Sequence, residues 1–78
     1  MLFYMNEDIF RLLQVIRPEA GFQESVNFVE DALLDSLDII LLVSEIESRF
    51  GIKIPGEKVV PSNFHSVEAI AELISSLR

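Results

Sequence analysis

The stretch from Asp35 to Gly51, "DSLDIILLVSEIESRFG", constrains the fold more than any other part of this chain. It is long enough for about four turns of helix, holds no proline, and stops on a glycine. Ile39, Leu42, Val43, Ile46 and Phe50 recur three and four residues apart and form one apolar stripe. Leu37, Ile40 and Leu41 start a second stripe that continues to Ser44, Glu47 and Ser48. A helix that only supports a core needs one such face. Either a loop covers the second, or it is an apolar contact patch rimmed by acids.

The flanking segments predict an all-α chain. Ile9, Leu12, Leu13 and Ile16 sit at helical spacing, with Asn6 as a candidate cap and Glu7 and Asp8 in the first turn. Pro18 and Gly21 end that helix, which leaves residues 1–5 as an expected N-terminal tail. A long connection, "FQESVNFVEDALL", follows, and its Phe22, Val26, Phe28 and Val29 are expected to fold back over the bundle. After "IKIPGEK", Pro61 opens a short helical turn and Phe64 anchors it in the core. Ser66 caps a last helix whose stripe is Val67, Ile70, Leu73, Ile74 and Leu77. The expectation is a small bundle of three to four helices with a long first loop, one domain over residues 1–78. No internal repeat or low-complexity segment interrupts it.

Composition narrows the function. A chain of 78 residues buries only about 60% of the surface its unfolded form exposes, so its core is modest. With no cysteine, disulfides, thiolate metal sites and cysteine nucleophiles are excluded, and a single histidine, His65, disfavours a multi-His metal site or a Ser-His triad. The formal charge of −7 disfavours nucleic acid and anionic membrane surfaces and suits partners with basic patches. No unbroken apolar run is longer than the five residues of Ile39–Val43, which is too short to span a bilayer. "MLFYM" lacks the basic leader and cleavage site of a signal peptide, so a cytoplasmic location is expected. From Glu24 to Ser48 there are seven acids and no Lys or Arg.

Ser36 stands where the loop becomes the apolar helix. It is either the cap of that helix, or it follows a capping Asp35 whose reciprocal partner is Asp38. The Asp35 assignment fits local rules better. It leaves the Ser36 hydroxyl facing solvent over the positive end of a helix dipole, where a phosphate is favoured. No "GxSxG" elbow surrounds it, and nothing in the sequence brings His65 to it as a base. Asp31, Asp35 and Asp38 lack the alternating spacing of a calcium loop. No metal site and no catalytic residue is expected.

Here the chain resembles the acyl carrier proteins. The likeness runs from about Asn6 to Leu77 and rests on Asp35-Ser36-Leu37, on the Phe50–Pro55 segment "FGIKIP", and on the Ser66-Val67 pair before the last helix. The tripeptide alone is a weak signal; at the start of an acidic second helix, near mid-chain, it is a strong one. The resemblance implies a carrier without catalytic activity of its own. Ser36 would receive a 4′-phosphopantetheine arm from coenzyme A through a separate Mg²⁺-dependent phosphopantetheinyl transferase. The thiol of the arm would then hold acyl groups as thioesters, presented to partner enzymes of fatty-acid or polyketide-like synthesis with basic docking patches. Asp35, Leu37, Asp38, Ile40, Leu41 and Glu47 are the expected docking residues, and a monomer is expected. Two features depart from fatty-acid carriers: "DALLDSLD" lacks their glycine before the Asp-Ser-Leu, and Leu41 stands where they tend to have an acid. "LLDS" and "RFGI" look more like D-alanyl carrier proteins, which makes an aminoacyl cargo the alternative. A third reading, of another class, is an unmodified acidic helical interaction module.

Overall fold

Helical spacing, not capping chemistry, decides where the first helix begins. In the computed structural model, which describes residues 2–78 and the side chains from Met5 onward, α1 covers Leu2–Ile16. Asn6 therefore lies inside the helix, and its Oδ1 is shielded with no hydrogen-bond partner. Met5, Ile9 and Leu13, four residues apart, are all buried. The apolar stripe extends one turn above the polar start signal, and burying it carries the helix past Asn6. The expected tail over residues 1–5 is thus helical from Leu2, with Met5 in the core; Met1 lies outside the described residues.

Helix α2 covers Ser36–Phe50 and α3 covers Val67–Leu77, and short 3-10 turns lie at Phe22–Glu24, Gly56–Lys58 and Pro61–Asn63. Among the described residues there is no strand. Arg49, near the C-terminal end of α2, reaches Asp8 in the middle of α1 at 3.0 Å, and Arg17, just past the end of α1, faces Asp38 in the first turn of α2 at 3.7 Å. The two helices are therefore antiparallel. Ile39, Leu42 and Ile46 of α2 meet Ile9 and Leu13 of α1 and Ile70, Leu73 and Ile74 of α3 in one buried cluster. Val43 and Phe50, expected in the same core stripe, are half-buried and pack against the edge of the cluster. Phe64 is fully buried and Pro61 opens its turn, as the sequence predicts.

The long first loop is tied down by its own polar groups. The Asn27 Oδ1 accepts the N–H groups of Val29 and Glu30 at 3.1 and 2.9 Å. The Phe28 N–H donates to the His65 carbonyl at 2.7 Å, pinning the loop to the entry of α3. The rings of Phe22 and Phe28 pack edge to face with centroids 5.0 Å apart. Both are buried, whereas Val26, expected to fold back with them, is 88% exposed. Its neighbours carry the packing, and the turn from Ser25 to Asn27 leaves it on the outside. Ala32 has φ 61, the left-handed region that favours glycine.

Candidate functional site

The start of α2 is built by two aspartates. The Asp38 N–H donates to Asp35 Oδ1 at 2.9 Å, and the Asp35 N–H donates to Asp38 Oδ2 at 3.2 Å. This reciprocal pair makes Asp35 the cap, so the competing assignment, with Ser36 as cap, is not the one adopted. Both side-chain hydrogen bonds of this helix start join Asp35 to Asp38 and leave the Ser36 hydroxyl outside them. Ser36 is exposed at the first helical position. A primary alcohol there faces solvent beside backbone N–H groups that favour an added anion.

The two acids differ in environment. Asp35 is exposed, and the Asp38 N–H holds its carboxyl below the usual aspartate range, with the nearby charge of Arg17 acting in the same direction. The Asp38 side chain is only 10% exposed and faces the Arg17 guanidinium. Each carboxylate has one oxygen engaged by a backbone N–H, Asp35 Oδ1 by that of Asp38 and Asp38 Oδ2 by that of Asp35.

Three side chains below Ser36 make the apolar stripe. Leu37 is 65%, Ile40 60% and Leu41 48% exposed, so the long loop does not cover this face. Two expected docking acids have internal tasks instead. Asp38 is buried in the capping pair, and Glu47 is half-buried, its Oε2 accepting the Ile54 N–H at 2.8 Å. The capping role of Asp38 is legible in the sequence, but its contact with Arg17 and the bond from Ile54 to Glu47 depend on connections whose path only the fold sets. Glu45, absent from the expected docking residues, is exposed one turn below Leu41 and borders the same face. The spacing of four from Leu41 was the available signal. His65 is half-buried, gives its carbonyl to Phe28, and keeps its Nδ1 shielded without a hydrogen bond. Among the described residues no cluster of acids or histidine is arranged to hold a metal ion, and no helix is long and apolar enough to cross a membrane.

The site fits a phosphate-linked prosthetic group: one exposed hydroxyl, unbound by its own cap, at the positive end of a helix. Comparison with known proteins agrees. The family model for the phosphopantetheine attachment site matches residues 11–74, a span that contains all of α2. A D-alanyl carrier protein of Lactococcus lactis subsp. cremoris is 29% identical over 69 residues, 86% of this chain and 87% of that protein. An acyl carrier protein of Zymomonas mobilis is 33% identical over 60 residues, 70% of this chain and 77% of that protein. An acyl carrier protein of Wolinella succinogenes is 46% identical over 43 residues, 55% of each chain. No solved structure matches. The chain belongs to the acyl carrier protein family, as a non-catalytic carrier domain for covalently attached 4′-phosphopantetheine.

Proposed function

We propose that Ser36 is the residue that carries the arm and that the chain is a carrier of acyl intermediates. One observation supports this above the others. The Asp35–Asp38 pair supplies the side-chain cap of α2, so the hydroxyl of Ser36, exposed at its first position, is not needed for capping. In the loading step Ser36 Oγ bonds to the phosphopantetheine phosphorus of coenzyme A. The pyrophosphate P–O bond breaks, adenosine 3′,5′-bisphosphate leaves, and a base of the transferase takes the hydroxyl proton. Once attached, the arm supplies a thiol for thioester formation that this cysteine-free chain lacks.

The docking surface in this reading is Leu37, Ile40 and Leu41, bordered by Asp35 and Glu45. An apolar strip with few acids favours weak, reversible contact with basic partner surfaces, which suits a carrier that visits several enzymes in turn. Asp38 and Glu47 contribute to that surface mainly by fixing the helix and the connection after it. The cargo in the leading reading is an acyl chain of fatty-acid or polyketide-like synthesis. A D-alanyl or other aminoacyl cargo is the second reading, favoured by the 86% span of the match to a D-alanyl carrier.

The test is loading followed by weighing. The protein, coenzyme A, Mg²⁺ and a broad-specificity transferase should give a mass gain of one phosphopantetheine, absent in Ser36→Ala. A wild-type chain that gains nothing, beside a control carrier that does, overturns the assignment and favours an unmodified interaction module. The loaded protein, offered to an acyl-ACP synthetase and to a D-alanine ligase, then separates the two cargo readings by which thioester forms.

A further inference from the structure

We infer that Arg17 is a positioning residue for the modification of Ser36, acting through Asp38: it neutralises the buried carboxylate beside the serine, so that an anionic donor can approach. The inference rests on the reading that Ser36 is the attachment site.

Loading puts an anion next to anions. Ser36 lies between Asp35 and Asp38, and the sequence supplies no Lys or Arg from Glu24 to Ser48. The fold brings a cation from elsewhere. Arg17 follows α1 directly, its N–H donating to the Leu13 carbonyl at 2.9 Å, so its position is set by the end of that helix. From there its Nε stands 3.7 Å from Asp38 Oδ2 and 3.8 Å from Glu19 Oε2. The Nε is shielded from solvent yet makes no hydrogen bond. Asp38 Oδ2 is the same oxygen that accepts the Asp35 N–H.

This geometry suits charge compensation better than stapling. A structural ion pair would be expected to close onto the carboxylate with short, directed N–H···O bonds. Here the cation sits just outside that range, beside a carboxylate already satisfied by a backbone N–H. Its field also reaches Asp35, whose carboxyl it helps to hold in the charged form. Without Arg17, the Asp38 charge would be partly buried and uncompensated two residues from the serine in the same first turn of α2. It would repel the pyrophosphate of coenzyme A and then the phosphodiester that replaces it. The apolar docking strip does not include Arg17, so recognition by the transferase should be untouched.

The experiment compares transferase kinetics, with carrier as the varied substrate, for wild type, Arg17→Gln, Arg17→Lys, Asp38→Asn and the Arg17→Gln/Asp38→Asn double variant. Circular dichroism melts confirm that each is folded at the assay temperature. Arg17→Gln should lower kcat about fivefold, the scale of one partly exposed charge interaction, with KM within about twofold of wild type. Arg17→Lys should keep most of the rate. The double variant should recover it, because asparagine still accepts the Asp35 N–H but carries no charge to neutralise. An unchanged kcat in Arg17→Gln overturns the inference. So does a double variant as slow as the single one, which would mark a purely structural role. Failure of the Ser36 assignment looks different: wild type itself gains no mass.

Discussion

Glu47 Oε2 accepts the Ile54 N–H at 2.8 Å, so a carboxylate on the outer side of α2 fixes the connection that leaves it. Gly51 reverses the chain at φ 66, and its N–H returns to the Glu47 carbonyl at 3.0 Å. Glu47 thus holds both ends of that turn, one by its backbone and one by its side chain. Glu47→Ala should cost about 1–2 kcal/mol, because it leaves a part-buried N–H unpaired. Glu47→Gln should cost far less, since its amide oxygen still accepts. Urea denaturation of both variants checks this, and equal losses would rule out the hydrogen bond as the cause.

The Asp35 cap predicts a pH dependence. Its carboxyl is held below the ordinary range, first by the Asp38 N–H, so the folded state favours the charged form. That contribution is complete above the unfolded value of about 4 and disappears as pH falls through the lowered folded value. Asparagine caps without titrating. The melting temperature of wild type relative to Asp35→Asn should therefore be highest near neutral pH and decline below pH ~4. A difference that stays constant with pH would refute the account.

Ala32 is a non-glycine residue at φ 61 in the lead-in to α2. A side chain there costs about 1–2 kcal/mol, and glycine returns part of that gain through its freer unfolded chain. Ala32→Gly should stabilise the protein by about 0.5–1 kcal/mol without changing its loading rate. Thermal melts and the transferase assay read the two quantities separately.

The two stripes of α2 should separate stability from docking. Leu41→Ala is expected to cost about 0.5 kcal/mol or less, as an exposed substitution, and together with Leu37→Ala to raise KM for the transferase. Phe64→Ala should cost about 3–5 kcal/mol, because the ring is fully buried. Phe50→Ala should fall between them, since that ring lies half-buried at the edge of the core. Loss of stability in the Leu41 variant matching that of Phe64 would mean that the outer stripe is packed.

Local sequence was enough for the helices, the Asp35 cap and the second stripe of Leu37, Ile40 and Leu41, whose exposure the path of the long loop decided. Each depends on residues within about one turn of each other, where periodicity and capping chemistry act. It misled where a polar signal competed with apolar burial, as at Asn6, and where one residue of a loop turned outward, as at Val26. What only the tertiary structure decided is which acids remain free. Asp38 meets Arg17 and Glu47 meets Ile54 across connections whose course follows from core packing. A charge near a helix start looks the same in sequence whether it faces water or a distant partner. Burial and pairing separate the two, and both arise only once the helices have closed on one another.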